Sequence, residues 1–248
     1  MTREMSQGKK KIEILASFDD AGEYDMRLGD LLLRYEIPSV FYVPINFGRR
    51  GLEDSQIARL AGLGSCSLCP KMKKLFDIGS HGLNHLDLKK LIKQGKEKEA
   101  MREIAGSKTA LEAIIKRPVT RFAYPYGQYN EKVKEMVKTA GYKSARTTKL
   151  LSTDFPKDPY ETNISMVVHP RVTACKGRTW IEVGYELFDR VIKDGGRFGL
   201  YGHSYDIFGQ FNMGEFFESF LSYMDEEMKK IGYPRKIFKH GEAFISDK

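Results

Sequence analysis

Five side chains that can bind a metal ion or carry a proton follow predicted strands in this sequence. They are two adjacent carboxylates and three histidines: Asp19, Asp20, His81, His85 and His203. Each lies in a segment that follows a short apolar or β-branched run, which is the pattern of a buried strand. The carboxyl ends of parallel strands meet on one face of a barrel, where the active sites of such folds lie. We therefore predict that these side chains form one site.

Two of the five histidines, His81 and His85, stand four positions apart. On a helical turn, residues at this spacing share a face, so both imidazoles can reach one ion. The alternative is a helix start with two incidental histidines. Asp19 and Asp20 favour a metal site, because adjacent side chains at a strand end point different ways. One carboxylate can then bind the ion while the other stays free, although a turn that caps the next helix would also explain the pair.

Two histidines and one carboxylate leave coordination positions open for water and substrate, which is typical of a catalytic metal site. A metal ion lowers the pKa of its bound water, and the free carboxylate can take the proton as that water attacks a carbonyl. The metal and a backbone N–H can stabilise the oxyanion. An amine leaving group needs a proton, which His203 can supply. A buried histidine bonded within its own loop is the alternative for His203.

Strand-like and helix-like segments alternate along the chain, which predicts parallel strands joined by right-handed helical crossovers. The predicted strands are 12–18, 39–43, 75–78, 121–124, 142–145, 197–201 and one near 235–238. The predicted helices are 26–35, 95–115, 130–140, 179–193 and 214–231. This pattern favours an α/β fold, a single irregular (β/α) barrel of about seven parallel strands over residues 1–248. Segments 46–74 and 147–178 are candidate insertions, and the second could be a lid or an oligomer contact.

Composition and charge limit the classes of partner that we expect for this chain. Lysine and arginine number 41 against 33 for aspartate and glutamate, a formal net charge of +8. The lysines stand mostly at helical spacing near glutamates, which is typical of a solvated helix face, so we expect no nucleic-acid partner. No apolar run reaches the ~18 residues of a membrane span, and we expect none. Residues 1–11 are polar and basic and do not resemble a secretory leader, so we expect a cytoplasmic protein.

The cysteine pattern is weak. Three cysteines are few for a disulfide framework, and an odd number cannot all be paired within one chain. Cys66 and Cys69 form a CxxC in a loop-like stretch, but a structural zinc site would need two more ligands and only Cys175 remains as a thiol. We predict a pair of reduced thiols, with a redox pair or half of a metal site as the alternatives.

Four segments resemble motifs of the NodB-homology polysaccharide deacetylases, the carbohydrate esterase family four. The segments are SFDDAG at 17–22, like T-F-D-D-G; SHGLNH at 80–85, which matches H-x-x-x-H; FAYPYG at 122–127, like R-x-P-Y-G; and LYGH at 200–203, like L-x-H with one extra residue. Their order and spacing agree with the family from about residue 12 to 205. The resemblance covers most of the chain.

The resemblance implies a metal-dependent hydrolase that removes N-acetyl groups from an amino sugar or glycan, on an irregular barrel of about seven strands. It assigns Asp19 as base and His203 as acid. It assigns the binding of Zn²⁺, or of Co²⁺, Ni²⁺ or Fe²⁺, to Asp20, His81 and His85. The remaining residues it implies are Tyr126, whose backbone N–H would stabilise the oxyanion, and Tyr124, Pro125 and Tyr126 as substrate contacts. An amidohydrolase or deformylase acting on another small C–N substrate is one alternative, and a degenerate sugar-binding protein on the same scaffold is another.

Two departures from the family pattern concern the groups around the base and the acid. The family arginine that orients the base falls at Ala123. Arg121, Arg146 or Arg171 could supply that charge from elsewhere. The Asp-Trp motif that often supports the acid histidine is missing, and the only tryptophan, Trp180, lies in a predicted helix.

Overall fold

The computed structural model describes residues 10–48 and 51–235. Its strands are β1 (Ile12–Asp19), β2 (Ser39–Val43), β3 (Phe76–Ser80), β4 (Arg121–Ala123), β5 (Ser144–Arg146), β6 (Met166–Val167) and β7 (Gly196–Gly202). Its helices are α1 (Asp25–Arg34), α2 (Asp54–Leu60), α3 (Cys69–Leu75), α4 (Leu88–Lys93), α5 (Glu97–Ile115), α6 (Glu131–Thr139), α7 (Trp180–Asp194) and α8 (Gly214–Lys230). In the described ranges no helix is long and apolar enough to cross a membrane.

The seven strands form one parallel sheet in the order β5-β4-β3-β2-β1-β7-β6. The chain after α6 nearly closes this sheet into a barrel. Thr162 forms a parallel bridge with Arg146 of β5, and three residues later the N–H of Ser165 donates to Gly199 O of β7 at 2.8 Å. The predicted fold, an irregular barrel of about seven parallel strands, is confirmed.

Alternation along the strands separates two sets of side chains. Ile14, Ala16 and Phe18 of β1 pack with the helices in the main apolar core, because successive side chains of a strand point to opposite faces. Between them, Leu15 joins a small cluster inside the barrel with Val40, Tyr42 and Ala123. Asp19, four residues after Leu15, therefore also faces the interior, at the end of β1.

Buried ion pairs lie in the barrel interior. Glu13 of β1 accepts from Arg197 of β7 at 2.6 Å, and Asp77 of β3 accepts from Arg121 of β4 at 3.0 Å. All four side chains are buried. Burying a charge is costly unless it is paired and hydrogen-bonded, and these neighbouring-strand pairs satisfy that condition.

The structure differs from the prediction in several segments. The segment 147–178 contributes β6, a two-residue strand that had no readable pattern. The predicted strand near 235–238 lies outside the described residues from position 236 onward and stays a prediction. The segment 46–74 contains α2 and α3, and α4 was also missed. The prediction of reduced thiols is wrong, because Cys66 and Cys69 form a disulfide. A turn in which Cys69 N donates to Cys66 O at 3.0 Å brings their Cα atoms to 5.3 Å, within disulfide reach.

Candidate active site

The carboxyl ends of the strands surround a cavity of about 420 Å³. Asp19 ends β1, His81 follows β3, and His203 follows β7. The structure thus brings all five predicted side chains to one place. The lining residues are Asp19, Asp20, Phe47, His81, His85, Tyr124, Tyr126, Thr148, Tyr201, His203 and Tyr205.

Asp20, His81 and His85 present ligand atoms that all lie within 4.8 Å of one another. Asp20 Oδ1 is 3.6 Å from His85 Nε2 and 3.9 Å from His81 Nε2, and the two Nε2 atoms are 3.1 Å apart. His81 Nδ1 contacts Ala123 O at 2.9 Å, which makes Nδ1 the protonated nitrogen and leaves the Nε2 lone pair facing the other ligands.

Asp20 Oδ1 is buried and has no hydrogen-bond partner among the described residues. A buried carboxylate oxygen without a partner is costly in a stable fold. The same oxygen faces two imidazole nitrogens. An imidazole, imidazole and carboxylate set suits Zn²⁺ and similar divalent ions, so these three residues could hold a metal.

The two histidines do not lie on a helical turn, as the sequence spacing had suggested. Residues 81–85 form an irregular loop, with positive φ at Gly82 (84°) and His85 (56°). The loop still brings the two imidazole ring centroids to 4.6 Å. Asp20 also has a positive φ of 77°. Non-glycine residues in this conformation often mark functional sites, and here both belong to the candidate metal ligands.

Asp19 is held by an arginine from the far edge of the sheet. Arg146, at the end of β5, donates a hydrogen bond from Nη2 to Asp19 Oδ2, and its guanidinium lies over the ring of Tyr201. Burial alone would raise the pKa of Asp19, but the charge of Arg146, with smaller effects of the nearby histidines, lowers it below its ordinary value. Of the three arginines considered from the sequence, Arg146 is the one placed here. Arg121 pairs with Asp77.

His203 is supported from its own turn. Its Nδ1 lies 3.0 Å from Asp206 Oδ2, and its ring stacks on Tyr205 with the centroids 4.9 Å apart. Burial lowers the pKa of His203, but the hydrogen bond to Asp206 and the charges of Asp19 and Asp20 outweigh this and raise it. Sequence reasoning missed Asp206 and Tyr205. The only signal was an acid three residues after the histidine.

The turn after β4 presents the predicted substrate contacts. Tyr124 is buried and lines the cavity, and Pro125 is buried in the turn. Tyr126 has a φ of 58°, and its side chain is 60% exposed. The Tyr126 ring packs edge-on against the His85 ring, with the two ring centroids 4.5 Å apart. The turn thus places one exposed aromatic ring directly beside the candidate metal ligands.

Tyr205 contacts both the predicted acid, His203, and the candidate metal ligand Asp20. Its hydroxyl donates to Asp20 Oδ2 at 2.8 Å, while Asp20 Oδ1 remains without a partner. This hydrogen bond orients the carboxylate so that Oδ1 faces the histidines. Hydrogen bonds of this kind fix the orientation of metal ligands.

A buried acid lies behind the site. Neither carboxyl oxygen of Asp25 has a hydrogen-bond partner of ordinary geometry within residues 10–48 and 51–235. Burial raises the pKa of Asp25 to about 7, Ser204 opposes the rise and Asp20 adds to it. The folded protein therefore binds a proton at Asp25 that the unfolded chain releases at lower pH.

We expect Asp25→Asn to make the metal-free protein more stable above pH 7. Because the pKa of Asp25 is higher in the folded protein than in the unfolded chain, the free energy of unfolding falls as the pH rises. This fall begins near the unfolded pKa of 3.8 and is complete above about 7. Asparagine removes this loss, which amounts to at most about 4 kcal/mol. Urea unfolding at pH 5 and pH 8, with chelator present, measures the effect. Asp30→Asn, exposed on the same helix, is the matched control. An equal gain at both pH values would contradict the prediction.

The family model described as polysaccharide deacetylase matches residues 6–145, more than half of the chain. The chain belongs to the polysaccharide deacetylase family. The resemblance stated from the four sequence motifs is thereby confirmed. Family membership supports a hydrolase that removes acetyl groups. A search of curated proteins finds no match to the chain.

Solved structures that match this chain with TM-scores above 0.5 share its fold. Bc1974 from Bacillus cereus, a polysaccharide deacetylase, is 16% identical, with a TM-score of 0.54 over 92% of this chain and 93% of that chain. A mutant of BA3943 from Bacillus anthracis, a CE4-family pseudoenzyme, is 16% identical, with a TM-score of 0.51 over 88% and 63%. IcaB from Ammonifex degensii is 22% identical, with a TM-score of 0.44 over 54% and 59%. The chain therefore spans less than two thirds of two of these three relatives.

Proposed function

We propose that this chain is a metal-dependent hydrolase that removes N-acetyl groups from an amino sugar or glycan. The observation that carries the proposal is the unpartnered Oδ1 of Asp20. It faces two imidazole Nε2 atoms, beside a second carboxylate that is paired with an arginine. A carboxylate for the metal, a separate carboxylate for a proton and a histidine for the leaving group are the set that amide hydrolysis needs.

In this proposal Asp20, His81 and His85 hold the metal ion. Zn²⁺ is the proposed ion, and Co²⁺, Ni²⁺ or Fe²⁺ are the alternatives. When bound, such an ion lowers the pKa of water and polarises the substrate carbonyl. Asp19 Oδ2 lies 3.5 Å from His81 Nε2, so its carboxylate stands beside the ligands and can accept the proton of the attacking water. Arg146 keeps Asp19 charged and oriented.

His203 donates the proton to the leaving nitrogen in this proposal. Asp206 accepts from Nδ1 at 3.0 Å, so Nε2 faces the cavity, where it lies 3.9 Å from Asp20 Oδ2. A hydrogen bond from the backbone N–H of Tyr126 to the oxyanion completes the proposed set.

The volume and the aromatic lining of the cavity support a sugar as the acetylated group. The 420 Å³ cavity adjoins a second cavity of about 560 Å³, since His85 and Tyr126 line both. Pockets of this size accommodate small ligands, and aromatic rings with a few polar groups are typical of their walls. Tyr124, Pro125 and Tyr126 are the proposed substrate contacts.

A sugar-binding protein without catalysis is the second candidate, because one structural relative is described as a pseudoenzyme. This chain retains all five candidate side chains, which favours the enzyme. The first experiment is elemental analysis of the purified protein beside His81→Ala. Near one equivalent of metal in the wild type, and loss in the variant, would support the metal site. Release of acetate from N-acetylglucosamine oligomers, against release of formate from N-formyl sugars, would then test the substrate. Metal binding without release of either acid would favour the second candidate.

We expect Asp206→Asn to move the alkaline limb of the pH–activity profile to lower pH. His203 acts as an acid only while protonated, so activity falls as the pH rises through its pKa. Asp206 raises that pKa, and asparagine removes the charge but keeps the size of the side chain. The profile of kcat/KM against pH measures the shift. An unchanged limb would show that another group sets it.

A further inference from the structure

The loop that carries both candidate histidine ligands has an unusual backbone. Within residues 81–85, Gly82 and His85 both have positive φ values, 84° and 56°. A histidine in the left-handed region persists only when its surroundings hold it there. The loop therefore needs anchors outside the metal site.

His85 lacks the usual anchor of a metal-binding imidazole. Its Nδ1 is buried and has no hydrogen-bond partner in the described part of the chain. The ring is contacted by Phe47 and by Tyr126, each with its centroid 4.5 Å away. Ligand histidines ordinarily donate the second ring nitrogen to a carboxylate or carbonyl. With no hydrogen bond at Nδ1, the direction of the His85 ring depends on its backbone and on contacts with neighbouring rings.

The residue before His85 is held by a buried acid. Glu103 of α5 is fully buried, and its Oε2 accepts the backbone N–H of Asn84 at 2.7 Å. Its Oε1 accepts a hydrogen bond from Asn84 Nδ2. Asn84 Oδ1 in turn accepts from Asn46 Nδ2 at 3.1 Å. One carboxylate therefore holds both the backbone and the side chain of Asn84.

Glu103 has no cationic partner in the described ranges. Both hydrogen bonds that its carboxylate accepts there come from Asn84. A buried carboxylate without a cation is costly to keep in a fold. Its position is explained by the two hydrogen bonds that it accepts from the ligand loop.

We propose that Glu103 is a positioning residue for metal binding: through Asn84 it fixes the backbone at His85 and directs His85 Nε2 toward Asp20 Oδ1. The proposal rests on the metal site of the proposed function. Residues after β2 support the same loop, since Asn46 N donates to Leu83 O at 2.7 Å. Among the residues that the structure describes, however, only Glu103 holds Asn84 by both its main chain and its side chain.

Two single variants and their combination test the proposal by Zn²⁺ affinity, measured by competition with a chromogenic chelator. Glu103→Gln sets an amide NH₂ against the NH₂ of Asn84 and is expected to weaken Zn²⁺ binding roughly 10–100-fold. Asn84→Asp sets two carboxylates together and should also weaken it. The double variant restores complementary groups, because the introduced amide can donate to the introduced carboxylate and still accept the backbone N–H at position 84. Its affinity should return to within about threefold of the wild type.

Glu97→Gln is the matched control, because Glu97 lies on the same helix and is exposed in its pair with Lys132. It should bind Zn²⁺ like the wild type. Wild-type affinity in Glu103→Gln, or a double variant no tighter than the singles, would overturn the proposal. If the singles do not fold, the double variant decides, and its failure to fold or to bind Zn²⁺ overturns it. A wild type that binds no Zn²⁺ would instead overturn the proposed function.

Discussion

Asp19→Asn is expected to keep its metal and to lose turnover by roughly 10²–10⁴-fold, the usual contribution of a general base. Asparagine has the same size and keeps one oxygen that can accept from Arg146, but it cannot take a proton from water. Acetate release and elemental analysis of the same preparation give the two measurements. Metal content near that of the wild type, with turnover lost, would separate the role of Asp19 from that of the ligands.

Asp20→Asn is the matched comparison, since it changes the adjacent carboxylate in the same way. Asp20 Oδ1 is the oxygen that faces both imidazoles, so this variant should lose metal together with activity. The pair of variants therefore distinguishes a base from a ligand at neighbouring positions. Full activity in Asp19→Asn would show that another group takes the proton.

Strand ends explain why the sequence predicted so much of the site. Asp19, His81 and His203 each follow an apolar run within three residues, and the parallel fold brings such ends together. The barrel itself followed from the alternation of strand and helix patterns. Each of these features can be predicted from a few consecutive residues and depends little on distant contacts.

Long-range partners had no such local signal. Arg146 reaches Asp19 across 127 positions, and in the sequence it was one of three equal candidates. The structure separates them by position along the strands. Arg146 is the last residue of β5 and lies on the face opposite Ala145, which packs in the main apolar core. Arg121 is the first residue of β4 and pairs with Asp77. Strand β6 was missed for a related reason. Two residues carry no periodicity, and their backbone pairing with β7 depends on how the preceding chain crosses the barrel edge.

The loop between the two histidines shows the limit of spacing arguments. A four-residue separation fits a helical turn, but Gly82 and His85 adopt positive φ values, which end any helix. Asn84 and Glu103 are 19 positions apart, and nothing in the sequence marks them as partners. The structure brings the two histidine rings together, as their spacing predicted, but on an irregular loop and not on a helical turn.

Arg146→Met is expected to destabilise the protein by about 3–5 kcal/mol, because it leaves the buried carboxylate of Asp19 without its cation. Both side chains of this pair are only 3% exposed. The same change should raise the pKa of Asp19, since the charge of Arg146 opposes the effect of burial. A base acts only when deprotonated, so the acidic limb of the pH–activity profile should move to higher pH. Urea unfolding and the pH profile of kcat/KM measure the two effects.

Arg121→Met is the control that separates the two effects. Arg121 also belongs to a buried ion pair inside the barrel, with Asp77 at 3.0 Å, but it makes no hydrogen bond to Asp19. It should therefore lower stability without moving the acidic limb. Adding Asp19→Asn to Arg146→Met should recover part of the lost stability, because the unpaired charge is then gone. If both arginine variants moved the limb equally, the shift would reflect a general loosening of the barrel, and Arg146 would have no specific role at the base.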